Sequence, residues 1–251
     1  MRNKQPQVIL FQDDEIALGY EYDQVPVKLS KDIIIKSIDY DYDKLKEEGV
    51  SFVGTTEPSN NSVYFKHPYK KDTYVQDTKN EDYYLKEKVE IFKKIGQQLG
   101  AKKILTKVLS LQSEKITTEI NADGSVKVVK AEVGVTTIEQ KKNESSYEIE
   151  DTYELLSNFD LDKNIEDVRL LINDCNLNHE SELISLIDAR DSKNSGTTLK
   201  TRKVKSELTS EYNHLLDISL SLSHPVFNIS SSFKKNIEKI QTLKIEIEYT
   251  F

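Results

Sequence analysis

The sequence predicts an α+β fold: a mixed or antiparallel sheet with a long central β-hairpin, one amphipathic helix before it and a helical segment after it. Three observations carry this. Leu85, Val89, Phe92, Ile95 and Leu99 draw a single apolar stripe at helical spacing. Two β-branched, alternating runs follow, residues 104–120 and 126–138, with Asn121-Ala122-Asp123-Gly124 between them. Strands come first and last with helices grouped between, which favours α+β over a regularly alternating parallel sheet. One domain over residues 1–251 is expected, with sub-lobes at 1–100 (strand-rich) and 101–251 (hairpin plus helices).

Taken in order, residues 7–18 read as a strand with an acidic interruption and residues 32–38 as another. Asp39-Tyr40-Asp41-Tyr42-Asp43 alternates strictly, which puts three carboxylates on one side of an extended segment. Residues 50–53 and 63–65 are short strands, separated by a polar loop containing Pro58. Residues 66–82 lack periodicity and read as a loop leading into the central helix. Gly100 stands where a left-handed cap ends that helix, and Lys102 and Lys103 suit its negative end.

In the hairpin, Asn121 suits a type I turn and Gly124 the bulge residue after it. That turn sets Ile120 opposite Val126 and Glu119 opposite Lys127; carried down the ladder, it sets Lys107 opposite Glu139 and, unfavourably, Glu114 opposite Glu132. The apolar face changes along the ribbon. Ile116, Ile120, Val126 and Val128 share one side near the tip, and Leu109, Leu111, Val133 and Val135 lie on the other in the middle. Gly134 offers a place for a bulge that re-aims the strands.

After the hairpin, residues 146–153 alternate and return to the sheet. Asn164 or Asp162 caps a helix carrying Ile165, Val168, Leu171 and Ile172. Asn178 caps a second, with Leu183, Leu186 and Ile187 inside. Residues 191–198 form a polar loop. Residues 206–222 carry helical spacing that gives way to the strand-like Ile218, Leu220 and Leu222. Residues 226–233 and 243–251 are strands.

Composition narrows the function. The chain has 251 residues, 31% charged and 37% hydrophobic, with a formal net charge of -8. That balance opposes general affinity for nucleic acid or anionic membrane. The single cysteine, Cys175, forms no intramolecular disulfide, and with no secretion signal visible a reducing cytoplasm is the expected home.

No motif identifies an enzyme. The Asp39-x-Asp-x-Asp43 run has Lys44 and Val50 where a calcium loop needs glycine and a bidentate acid. Asp160-x-Asp162-x-Asn164 fails likewise at Ile165 and Leu171. His67, His179, His214 and His224 lack ligand spacing, and Cys175 beside His179 reads as a packed thiol. No catalytic residue, metal site or cofactor is expected.

Three functions remain. The leading one is association with a protein partner or with itself through the hairpin, at Leu109, Leu111, Val133 and Val135, and through sheet edges. A nucleic-acid module would use Lys66, Tyr69, Lys70 and Lys71, with Lys200–Lys205 as a second basic run. A pore-forming protein would insert the 104–138 hairpin, against the cost of Lys107, Lys115, Glu119, Lys130 and Glu132 at depth.

Overall fold

A computed structural model describes residues 6–22, 31–54, 57–76, 82–110, 117–120, 126–129, 146–191, 198–207 and 243–251. The chain opens with β1 (Val8–Gln12), α1 (Asp14–Glu21), β2 (Ile33–Ser37), α2 (Ile38–Glu47), β3 (Ser51–Val53), β4 (Ser62–Lys66) and β5 (Thr73–Gln76). These strands form a five-stranded mixed sheet ordered β2-β1-β4-β5-β3. β1 runs parallel to β2, β3 runs parallel to β5, and the pairs β1–β4 and β4–β5 are antiparallel. Every residue of β1 is buried, so this sheet is covered on both faces. One face carries an aromatic cluster in which Phe11 meets Tyr42, Phe52 and Tyr64 edge-on at 5.6–5.7 Å.

Helix α3 (Asp82–Gln98) then crosses from the first sheet to the second. The second sheet is antiparallel, ordered β10-β11-β6-β9, from β6 (Lys103–Ser110), β9 (Ser146–Thr152), β10 (Thr201–Glu207) and β11 (Leu243–Thr250). β7 (Thr117–Ile120) and β8 (Val126–Val129) pair as a separate two-stranded sheet. Helices α4 (Leu161–Asp174) and α5 (Ser181–Arg190) lie between β9 and β10 in the chain. One core joins both halves: Val8, Leu10 and Val75 of the first sheet share it with α3, α4, α5 and the inner face of the second sheet.

The fold is α+β, and Leu85, Val89, Phe92, Ile95 and Leu99 are buried along α3 as their spacing requires. Gly100 has φ +82° at the helix end, and a β-carbon there would meet the Phe159 ring at 2.7 Å. At Gly96 α3 comes close to the sheet: a β-carbon would fall 2.9 Å from Ile104 Cδ1 and 2.6 Å from Tyr249 Cδ1.

Several local expectations are corrected. Residues 7–18 are a strand followed by a helix, because Asp14 and Glu15 occupy the first turn of α1, where the dipole favours acids. Residues 39–43 belong to α2, not to an extended segment. Ser37 accepts from the backbone N–H groups of Asp39 and Tyr40, and Lys44 and Lys46 occupy the last turn, so capping and dipole outweigh the alternation. The 66–82 stretch contains β5. Asp160, rather than Asp162 or Asn164, caps α4 through the Lys163 N–H; α5 starts after Glu180 with no side-chain cap, so Asn178 does not cap it.

The β7–β8 pair has the register expected for the hairpin tip, whereas β6 does not pair with the 126–138 run as the long hairpin required. Glu119 faces Lys127 and Ile120 faces Val126. Lys107 faces Glu148 on one side and Glu246 on the other, so no ladder position remains for Glu139. Seven residues separate Leu109 from Thr117 on the rising arm, whereas sixteen separate Val129 from Ser146 on the returning arm. Gly134 and residues 226–233 lie outside the described residues, as do 192–197 and 208–222.

Candidate association surface on the second sheet

Strand alternation places Ile104, Thr106 and Val108 of β6 inward, and all three are buried. Their neighbours form the outer face, and the ladders align these into rows. One row reads Lys205, Glu246, Lys107, Glu148 across β10, β11, β6 and β9; the next reads Lys203, Glu248, Leu105, Glu150. Opposite charges on directly facing residues attract. Lys107 Nζ lies 3.0 Å from Glu148, which it faces, and diagonal neighbours pair too: Lys203 Nζ is 2.9 Å from Glu246 and Lys103 Nζ 2.9 Å from Glu150. The hydrogen bond from Lys203 holds the Glu246 carboxyl below its ordinary range and raises Lys203 in turn.

The two edges of this face differ in sign: β10 presents Lys203 and Lys205, and β9 presents Glu148 and Glu150. They also differ in cover. Tyr153 N–H bonds to Lys102 O, so alternation turns the N–H and C=O groups of Glu148, Glu150 and Thr152 away from β6. Among the described residues no strand pairs with that side of β9. On β10, Lys205 N–H donates to Glu182 Oε2 at 2.6 Å, and Glu207 O accepts from Lys88 Nζ at 3.1 Å. Side chains of α5 and α3 thus occupy the Lys205–Glu207 end of that edge.

Lys88 is fully buried, with Nζ 2.5 Å from Glu180 Oε1, which also accepts from Ser206 Oγ at 2.8 Å. Its Nζ also lies over the Tyr69 ring, 5.9 Å from the centroid. His67, 2% exposed, sits next to this cluster and meets the rings of Tyr69, Tyr83 and Tyr84 at 5.4–5.8 Å. Its Nδ1 accepts from Tyr69 N–H at 3.0 Å, which puts the proton of the neutral ring on Nε2. Burial, then the nearby Lys70 charge, lower its pKa to about 4.

Of the expected association residues, Leu109 pairs with Ser146 and Lys244 in the ladder, while Leu111, Val133 and Val135 lie outside the described residues. Of the basic/aromatic set, Lys66 ends β4, Tyr69 is 2% exposed, Lys70 pairs with Glu87 at 2.8 Å and Lys71 with Asp174 at 2.7 Å. Lys203 and Lys205 of the second basic run belong to β10 and pair with Glu246. Cys175 is buried, and burial raises its thiol pKa. Among the described residues no group of three His, Cys, Asp or Glu is placed to hold a metal ion, and no helix is long and apolar enough to cross a membrane.

Sequence reasoning missed β10, and Ser206 and Glu207, expected to open a helical stretch, belong to it instead, although Arg202, Val204 and Ser206 alternate with Lys203 and Lys205. Strand-period alternation inside a basic run was the available signal. No protein-family model, curated protein or solved structure matches the chain.

Proposed function

We propose that this is a non-catalytic protein that acts by association, with itself or with a protein partner, through the hairpin rising from β6 and β9 and the sheet edges beside it. One observation carries the reading: β7 and β8 form a ribbon hydrogen-bonded to neither larger sheet among the described residues. A two-stranded ribbon alone is marginal in water, and this one bears Ile120, Val126, Val128 and Val129. It gains stability by meeting another surface. Leu109, Leu111, Val133 and Val135 would extend that contact toward its base. A reducing cytoplasm suits the single cysteine. The nucleic-acid alternative draws less support, because Tyr69 is buried and Lys70 and Lys71 already face carboxylates.

The test follows from the ladder. Leu109 and Ser146 are paired neighbours, so a short turn containing Asn-Gly can replace residues 111–145 without pulling β6 from β9. The shortened chain should keep its far-UV circular dichroism and associate more weakly in size-exclusion chromatography with light scattering, because only the sheet edges remain. A full-length chain that is strictly monomeric and meets no partner in pull-downs refutes the reading. A shortened chain that associates as before removes the hairpin from the reading and leaves the sheet edges.

A second reading, membrane insertion by the hairpin, is favoured by one further feature. Glu207, Lys244, Leu109 and Ser146 form one row, so segments 111–145 and 208–242, equal in length, leave and re-enter at the same end of the sheet. The second carries Ile218-Ser-Leu220-Ser-Leu222, an alternation suited to a lipid-facing strand of about ten residues. Dye release from anionic and neutral liposomes tests it; vesicles that stay intact across compositions remove it.

A further inference from the structure

We infer that copies of this chain join edge to edge, β9 of one against β10 of the next, so that the four-stranded sheet continues from copy to copy. The inference rests on the association reading and names the partner as a second copy. Strand directions alternate across β10, β11, β6 and β9, so a β10 laid beside β9 in the same sense is antiparallel to it.

The outward backbone groups match. Glu148, Glu150 and Thr152 present theirs on β9. Lys205 N–H points outward on β10, and alternation gives Lys203 and Thr201 the same direction. Setting Glu148 against Lys205 brings Glu150 against Lys203 and Thr152 against Thr201, all in one register. The charge rows then run on unbroken, positive against negative, across the joint.

The same charges disfavour the symmetric alternative. Two β9 edges paired about Glu150 would set Glu150 against Glu150, and two β10 edges paired about Lys203 would set lysine against lysine. Like charges directly opposite repel. The joint is therefore head-to-tail, and it closes into a ring or extends as a filament according to the rotation per copy. Glu182 must leave Lys205 N–H for the joint to form.

The test uses the full chain at 50 and 500 mM NaCl with sedimentation velocity and light scattering. Wild type should assemble more at low salt, because exposed charge pairs are screened. Glu148→Lys/Glu150→Lys and Lys203→Thr/Lys205→Thr should each reduce assembly at least tenfold with unchanged circular dichroism. Mixing Glu148→Lys/Glu150→Lys with Lys203→Glu/Lys205→Glu should restore it, because both joints between the two variants are again opposite in charge. A restored mixture also shows that both variants fold. Assembly indifferent to the reversals but abolished by removing residues 111–145 overturns this inference and leaves the association reading standing. A chain monomeric under all conditions that binds no partner overturns both.

Discussion

Replacing Lys88 with methionine should be among the costliest single changes in the chain. Methionine matches the aliphatic stem, so little packing is lost, but Glu180, 9% exposed, keeps its charge without the ammonium 2.5 Å away. The Glu207 carbonyl also loses the donor at 3.1 Å. Removing one partner of a buried pair costs about 3–5 kcal/mol, because the surviving charge stays desolvated. For a chain of this length each kcal/mol moves the midpoint by about 2–4 °C, so melting should fall by roughly 10 °C. Glu180→Gln in the same chain removes the orphaned charge while its amide oxygen still accepts from Ser206. The double variant should therefore recover at least about 2 kcal/mol of the loss. Urea titration followed by circular dichroism measures the cycle. A Lys88→Met cost below about 1 kcal/mol, or strict additivity with Glu180→Gln, refutes the account of this cluster as one coupled unit.

Three further outcomes follow from particular contacts. His67 titrates near 6.5 when unfolded and about 4 when folded, so the unfolded chain takes up the proton first and stability falls as pH drops through that window. Between pH 7 and 5 the loss should be about 2 kcal/mol. His67→Asn keeps an acceptor for the Tyr69 N–H, so its stability should change less over that range; an unchanged slope assigns the pH dependence elsewhere. Gly96→Ala gains about 1 kcal/mol of helix propensity but drives a methyl into the buried Tyr249 ring and Ile104, costing about 1–3 kcal/mol. Its thermal midpoint should drop, and a rise would show that α3 can lift from the sheet. Tyr249→Phe removes the hydroxyl that donates to Phe92 O at 3.1 Å, and should cost about 1 kcal/mol in the same denaturation assay.

The parts of the fold legible in the sequence are those fixed by contacts near in the chain. The α3 stripe, the Gly100 cap, β2, β11 and the tip of the ribbon all come from local spacing. Residues 39–43 show where local signals compete: Asp and Tyr alternate as in a strand, yet Ser37 and the acid-first, lysine-last order make a helix. The base of the hairpin was illegible for a different reason. There β6 pairs with residues 146–152 instead of the 126–138 run on one side, and with β11, more than 130 residues away, on the other. The candidate surface was hidden in the same way. Lys205, Glu246, Lys107 and Glu148 are scattered surface charges in the sequence, and only the ladder lines them up.

Glu182 offers a separate handle on how that surface is used. Its carboxylate holds Lys205 N–H at 2.6 Å, a side chain closing an edge that backbone would otherwise seek. In the assembled sheet that N–H would meet the Glu148 carbonyl of the next copy, so Glu182 competes with the joint. Because the bond is exposed, its worth is about 1 kcal/mol, at the low end for a charged acceptor. Glu182→Ala should therefore tighten self-association about fivefold while leaving the midpoint of thermal unfolding within a few degrees. Glu182→Gln, which keeps a neutral acceptor, should fall between the two. If Glu182→Ala weakens assembly instead, the carboxylate belongs to the interface rather than guarding it, and β10 is approached from the α5 side.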